Sequence, residues 1–585
     1  MSIHPFDLQA RAELAIQSLT ALLDPARDGL MYFLADWQSR PPRADHCLWD
    51  CGDGSGRHMD ALMLARAMLP QGSPFAAPSP GEAQIEAWMM RLLGEDRLTW
   101  LVDEPFASPW GQSMLYFGER THERMAEISW AQRGTLLGLT TCWLATGDER
   151  FHSAACRMVD GLLQIAVRHP AGLYFPEGYY RVGGWKTQTA RLAIGIEEYN
   201  AAVLWPAIRF YAASGYGPAL ILAEGIGQFA LRQTLGYLPD GAIAPVKAEL
   251  EDHFHTRGNF MLGILKLGLV SGRPEYVAWA RQAFDQACTI GTEFGWFPEG
   301  IKHRHGEVCC MTDMLELALM LGQHVDPAYF ADAERFGRNH LLEGQYLDLT
   351  VLEQAVARLP TREHPAPHEG RYSTHEGVVA SQLGAFASRS TLNDAFHTDV
   401  LSMMQCCNAA GTRALYDLWR YAVESRPASA EALPKKRVHL RFSVVTPDLK
   451  VISHEPAAGQ LDITVHADCQ VAVRLPAGED HAFVLNPSQD QAAPSQTQLI
   501  PAQQGYVHFD MAAGATAQVH YALHERSTQY TVGTSERSIT CTGHWRGETL
   551  MHVEPAGEFL PLYNRASNLP PVRPLPAAEK LIDSI

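Results

Sequence analysis

Apolar residues recur at helical spacing through roughly the first three-quarters of the chain. Between Arg11 and Leu23, the residues Leu14, Ile16, Leu19, Leu22 and Leu23 fall on one face, as in an amphipathic helix. A second helix is expected over 58–68. Others follow near 81–94, 130–146, 149–166, 191–213, 217–234, 256–271, 274–289, 311–322, 328–342, 373–386 and 408–424. Short turns such as Ala145-Thr146-Gly147-Asp148 and Ser271-Gly272-Arg273-Pro274 join several of them, which makes neighbours in sequence antiparallel neighbours in space. About a dozen helices joined this way can close into an (α/α)6 toroid, and no repeat period demands an open solenoid.

Near Glu424-Ser425-Arg426-Pro427-Ala428-Ser429-Ala430 the composition shifts to Pro, Ala, Ser and charge, as in a linker. Beyond it the period becomes two. Val438 to Val444, Leu461 to Val465, Val471 to Leu475 and Val519 to Leu523 alternate or nearly so, as half-buried strands do. The expected architecture is a mainly α, (α/α)6 toroid over 1–430, an antiparallel β-sandwich over 431–560, and a tail over 561–585 that lies along a neighbour or frays. A length of 585 residues fits two or three domains.

Two local features stand apart from this pattern. Leu48-Trp49-Asp50-Cys51-Gly52-Asp53-Gly54-Ser55-Gly56-Arg57 is a glycine-rich polar stretch. No strand precedes it and its glycines do not fit a phosphate-binding fingerprint, so it reads as a loop at the mouth of the helical domain. The loops Tyr174-Phe175-Pro176-Glu177-Gly178 and Trp296-Phe297-Pro298-Glu299-Gly300 are near copies. In a ring of hairpins alternate loops share a face, so both can bring aromatic rings and a carboxylate to one funnel. Tight turns alone would also explain their Pro and Gly.

Composition narrows the partners. The formal net charge is −18, which argues against nucleic acid and anionic membrane. No apolar run is long enough to span a bilayer. The first residues, Met1-Ser2-Ile3-His4-Pro5-Phe6-Asp7, lack the basic and apolar regions of a secretory signal. The 11 cysteines are odd in number and scattered, unlike a disulfide framework, so a reducing cytoplasm is the expected setting. A homodimer is the expected self-assembly.

The cysteines carry the chemistry. Cys309-Cys310 follows Gly306-Glu307-Val308, and Cys406-Cys407 sits in Gln405-Cys406-Cys407-Asn408. Each pair borders a strongly helical segment. Zinc takes four ligands and accepts thiolate and carboxylate, and Glu307, Cys309, Cys406 and Cys407 supply one such set. Adjacent Cys ligands are unusual for structural zinc, where Cys-x-x-Cys is the norm. A negative, thiolate-rich site lets one thiolate act as a nucleophile. Buried free thiols are the plainer alternative, and Cys310 in place of Cys309 is another.

The Glu307-Val308-Cys309 and Cys406-Cys407 motifs resemble those of glycoside hydrolase family 127, the β-L-arabinofuranosidase family and its relatives. The resemblance spans roughly residues 10–560 and implies an (α/α)6 barrel followed by β-sandwich domains. It implies that Glu307, Cys309, Cys406 and Cys407 hold zinc. Cys406 would be both ligand and nucleophile, forming a thioglycosyl intermediate in a retaining exo-hydrolysis. A glutamate upstream then serves as acid/base. Glu293 has the closer spacing, whereas Glu299 lies beside aromatic residues expected to raise its pKa, which favours it slightly.

An oligosaccharide or glycoside is the implied substrate, with His253, His255, His305, Trp296 and Glu177 as candidates to contact it. His303 is a further candidate to orient Glu307. Where the resemblance calls for another pocket histidine, this chain has Gln132-Arg133-Gly134. Arg133 and Arg257 therefore suggest an acidic sugar instead of arabinofuranose. Two other readings are an (α/α)6 carbohydrate enzyme of another type (an unsaturated glycuronyl hydrolase, an epimerase or a lyase) and a non-catalytic, zinc-stabilised sugar-binding protein.

Overall fold

The computed structural model describes residues 3–46, 52–100, 125–186, 201–242, 244, 253–300, 303–361, 373–397, 402–427, 433–486, 496–534, 537–577 and 582. Thirteen α-helices lie among them: α1 Leu8–Ala21, α2 Asp53–Ala67, α3 Pro80–Leu92, α4 Trp130–Thr146, α5 Glu149–Ile165, α6 Leu204–Ser214, α7 Gly217–Gln233, α8 Phe254–Ser271, α9 Pro274–Cys288, α10 Val308–His324, α11 Tyr329–Phe336, α12 Leu349–Arg358 and α13 Gln405–Tyr421. Six of them contact one another in a closed cycle, α2 to α4, α6, α8, α10, α13 and back to α2. Helices α1, α3, α5, α7, α9 and α11 pack outside this cycle.

The sequence explains which helix goes where. Helices α8 and α10 are buried along nearly their whole length and carry apolar residues on all sides, as fully enclosed helices do. Helices α5 and α9 bury one stripe only, such as Phe151, Ala154, Ala155, Met158, Val159 and Leu162 on α5. Charges that face the centre of the cycle are paired, as burial requires. Asp60 binds Arg413 at 2.8 Å, and Lys266 binds Glu316 at 2.8 Å.

Glycine sets the closest helix crossing. A Cβ on Gly56 would sit 2.0 Å from the Gly134 carbonyl oxygen, and one on Gly138 would sit 2.5 Å from the Gly56 carbonyl oxygen. Helices α2 and α4 therefore touch backbone to backbone. The described part of the glycine-rich stretch is accordingly not a loop: Asp53-Gly54-Ser55-Gly56-Arg57 forms the first turns of α2. Leu48 to Cys51 and Cys47 lie outside the described residues, as does the 191–200 part of the expected 191–213 helix.

Other expectations change. The helix expected over 373–386 is absent. Ser373–Thr374 is a strand and Ala380–Gln382 a single 3-10 turn, because Gly377 and Gly384 adopt positive φ of 63° and 93° and break the helical path. Helix α12 had no counterpart in the pattern reading. Val423–Arg426, read as the end of the 408–424 helix and the start of a linker, is a strand paired with Lys435–Val438; Ala428 to Ala432 lie outside the described residues.

The C-terminal part holds a four-stranded sheet and a six-stranded sheet that share one apolar core. It is not wholly antiparallel, since Lys435–Val438 runs parallel to Cys469–Arg474. A third sheet, Glu525–Thr534, Arg537–Arg546 and Thr549–Glu554, instead packs Val532, Cys541, Trp545 and Leu550 with Trp37, Phe294, Trp296 and Tyr346. Arg441, fully buried, joins these parts by binding Glu455 at 2.7 Å, Glu548 at 2.6 Å and Glu334 of α11 at 3.1 Å. The tail returns to the helices: the Tyr563 hydroxyl lies 2.7 Å from His340, and the Ile582 N–H donates to the Tyr416 hydroxyl.

Candidate functional site

Two strand-to-helix turns build the cysteine cluster. Strand Ser402–Met404 pairs antiparallel with Leu34–Asp36, and the Gln405 N–H then donates to the Phe33 carbonyl at 2.9 Å as α13 begins. Cys406 and Cys407 are the second and third residues of α13. Strand Gly306–Glu307 pairs with Arg389–Ser390, and α10 begins at Val308, with Cys309 second. Helices α10 and α13 are neighbours, so both first turns meet. Their free backbone N–H groups favour a thiolate at each end.

The Sγ of Cys309 lies 3.5 Å from that of Cys407, and Cys407 Sγ lies 3.4 Å from Glu307 Oε1. One ligand atom each from Glu307, Cys309, Cys406 and Cys407 falls within 4.8 Å of the others, a grouping that could hold a metal ion. Two sulfurs bound at about 2.3 Å to one tetrahedral ion would be about 3.8 Å apart, close to the spacing found. Glu307, Cys309 and Cys407 are buried, and Cys406 alone of the four is partly open. Cys310 is buried beside Glu307, 3.5 Å from its Oε2, and outside the four-residue group.

Hydrogen bonds from Cys309 and Cys407 pull the Cys406 thiol well below the usual thiol range, with Arg57 assisting. Burial pushes Cys309 and Cys407 up. Arg57 donates to Cys309 Sγ at 3.8 Å and the Ser388 hydroxyl to Cys407 Sγ at 3.4 Å. Burial would raise Glu307, yet His253, 2.7 Å away, holds its carboxyl down at about 2.

His255 stacks on Trp130 with ring centroids 5.3 Å apart, and its Nδ1 meets Asp313 at 2.6 Å. Burial lowers His255 to about 3. Arg133 donates to His255 Nε2 at 3.1 Å, to Asn259 at 2.9 Å and to Asp53 at 3.2 Å. Its guanidinium is thus enclosed at the ring centre. Arg257 donates to the Gly236 carbonyl at 2.8 Å.

The two echoed loops sit in equivalent places. The Gly178 carbonyl accepts from Ile128 just ahead of α4, and the Glu299 carbonyl accepts from Phe254, the first residue of α8. Their side chains differ from expectation. Trp296 is fully buried and donates to the Ser390 carbonyl at 3.1 Å, so its ring packs in the core and offers no platform. Glu177 pairs with Arg181 at 2.7 Å. Glu299 groups with His253 and Glu307 within 4.8 Å. It accepts from Arg389 at 2.9 and 2.5 Å and lies 2.6 Å from His305 Nε2.

Burial favours protonated Glu299, but Arg389, His303 and His305 outweigh it and hold the carboxyl well below its usual range. The expected upward shift from aromatic neighbours is reversed, because those rings turn into the core and a guanidinium takes their place. Glu293 is engaged elsewhere. Arg526 grips it at 2.8 Å with each of two nitrogens, and the Tyr530 hydroxyl donates at 2.5 Å.

Sequence reasoning missed Arg57, Ser388 and Arg389. The position of Arg57 at the start of an enclosed helix was the available signal; Ser388 and Arg389 had none, since their stretch followed an expected helix.

No family model matches the chain, and no curated protein matches it. Solved structures do. A family 127 β-L-arabinofuranosidase from Geobacillus stearothermophilus T6 is 12% identical with a TM-score of 0.54, over 92% of this chain and 80% of that one. Another family 127 β-arabinofuranosidase is 13% identical with a TM-score of 0.54, over 92% and 79%. A further structure described as a glycoside hydrolase is 11% identical with a TM-score of 0.51, over 90% and 84%. At these identities the likeness establishes a shared fold.

Proposed function

We propose that the chain is a retaining exo-glycoside hydrolase with Cys406 as nucleophile and Glu299, paired with His305, as acid/base. The six-helix cycle is read as the inner ring of an (α/α)6 toroid, whose helix starts converge on the site. The observation that carries the proposal is the partial opening of Cys406 within a cluster whose other three members are buried.

The donor set fits zinc, with three thiols and a buried carboxylate at spacings a tetrahedral ion accepts. Zinc held by Glu307, Cys309, Cys406 and Cys407 would keep the thiolates deprotonated at neutral pH. His253 fixes the Glu307 carboxylate through its 2.7 Å contact. The Cys406 thiolate attacks the anomeric carbon, and a C–S bond forms as the glycosidic C–O bond breaks. The leaving oxygen takes the proton that His305 Nε2 holds against the ionised Glu299 Oε2. The Glu299–His305 pair then takes a proton back from water, which attacks the same carbon and returns the thiolate. Two displacements give retention.

The solved structures of similar fold include two β-arabinofuranosidases, which points to a non-reducing-end pentoside such as a β-L-arabinofuranoside. Enclosure of Arg133 takes away one of the two arginines that suggested an acidic sugar. A panel of aryl pentosides and uronides tests the reading. At least one pentoside is cleaved with retained configuration, and Cys406→Ala abolishes the cleavage. Native-rate cleavage by Cys406→Ala overturns the nucleophile assignment.

A further inference from the structure

The third sheet carries a histidine cluster that the proposed glycosidase chemistry does not use. His544 and His552 are directly opposed on neighbouring strands Arg537–Arg546 and Thr549–Glu554. Their rings stack with centroids 4.1 Å apart at 11°. Glu554, two residues past His552, projects from the same face, since strand side chains alternate. One ligand atom from each of His544, His552 and Glu554 lies within 4.8 Å of the others. We propose that these three residues bind a borderline divalent cation of the zinc, cobalt or nickel class, separate from the thiolate cluster.

Three observations carry this. The first is spacing. His544 Nε2 lies 3.7 Å from Glu554 Oε2, and His552 Nε2 lies 3.9 Å from Glu554 Oε1. Both gaps are too long for hydrogen bonds. Ligands bound at about 2.05 Å to a tetrahedral ion stand about 3.3 Å apart, so each carboxylate gap closes with a contraction of a few tenths of an ångström, and a turn of one of the two stacked rings brings both lone pairs onto the ion.

The second is an orphan atom. His544 Nε2 is buried and has no hydrogen-bond partner among the described residues. The third is a support for the ring. Ser527, opposite His544 on strand Glu525–Thr534, places its hydroxyl 3.0 Å from His544 Nδ1. A proton on Nδ1 donated to that hydroxyl leaves the Nε2 lone pair free for an ion, the usual way a ligating imidazole is held.

Nearby cations do not compete for Glu554. His544 and His552 line a cavity of about 540 Å³ together with Arg526, Arg546 and Arg565. Arg526 is gripped by Glu293, Arg565 by Glu343 at 2.5 Å, and Arg546 donates to the Ala457 carbonyl at 3.2 Å. Two imidazoles and one carboxylate select a transition ion over calcium or magnesium, which prefer oxygen ligands.

The test is a zinc titration by calorimetry. It uses full-length protein loaded with a single equivalent of zinc, which the three-thiolate cluster takes ahead of a site of two imidazoles and one carboxylate. The wild-type protein takes up one further equivalent. His544→Ala and His552→Ala, both at solvent-accessible positions, bind it more than tenfold more weakly, and Ser527→Ala binds it about tenfold more weakly. Absence of further uptake by the wild type, or uptake unchanged in the two histidine variants, overturns the proposal.

Discussion

Arg389→Met probes how the site holds its carboxylates. Arg389 donates two hydrogen bonds to Glu299, at 2.9 and 2.5 Å, and both side chains are nearly enclosed, 12% and 14% exposed. Removing one partner of a buried pair costs about 3–5 kcal/mol. The remaining contact with His305 argues for the lower end, about 3 kcal/mol, or roughly a hundredfold in a local opening constant.

The sign with pH follows from the shift. Glu299 sits well below its usual value in the wild type. Its stabilisation is therefore present above the unfolded-state pKa of about 4.3 and is lost as pH falls through the folded value. In the variant burial dominates and the folded carboxyl rises, so at neutral pH it works against folding. The gap between the two proteins is widest near neutrality and narrows below about pH 4.

Hydrogen exchange reads this locally, because Gly306–Glu307 pairs with Arg389–Ser390. Metal-free, reduced protein keeps ion loss out of the comparison. Amides over 306–310 exchange about a hundredfold faster in the variant at pH 7, with a smaller ratio at pH 4. Equal exchange at pH 7, or a ratio that grows on acidification, refutes the reasoning.

Other substitutions test separate parts of the account. Gly56→Ala forces a methyl group against the Gly134 backbone, 2.0 Å from its carbonyl oxygen. It lowers stability by about 1–3 kcal/mol, read as a shifted urea midpoint. Under the proposed zinc site, Glu307→Gln removes a charged donor from the four-residue group and lowers zinc affinity at least about tenfold, measured by competition with a chromogenic chelator. Arg441→Met leaves Glu334, Glu455 and Glu548 buried around an apolar side chain. It costs about 3–5 kcal/mol, read as easier proteolysis between the helices and the sheets.

What the sequence made legible was local. Glu307, Cys309, Cys406 and Cys407 stood out because each half of the cluster is written in a few consecutive residues beside a helix start. The helix order was legible for the same reason: the enclosed and amphipathic helices carry their burial pattern within their own lengths. Partners distant in sequence were not legible. Arg389 reaches Glu299 across 90 residues, and nothing near Glu299 announces a guanidinium.

Trp296 looked like a sugar platform by composition. Its ring instead fills the core beside Phe294 and Tyr346, a choice made by the third sheet packing over it. The strand Val423–Arg426 is only four residues long, too short to set a period against its Pro- and Ser-rich continuation. The glycines of α2 resembled a loop because their use, contact with α4, lies in another helix.

The central claim is that Cys406 forms the covalent bond to sugar. The direct measurement uses Glu299→Gln, which slows release of the sugar, quenched in acid during turnover of an activated aryl pentoside and then mapped by peptide mass spectrometry. The account predicts one added glycosyl unit, located on Cys406, and its loss in the Glu299→Gln, Cys406→Ala double variant. Product formation with inverted configuration, or a glycosyl adduct on any other residue, would contradict it.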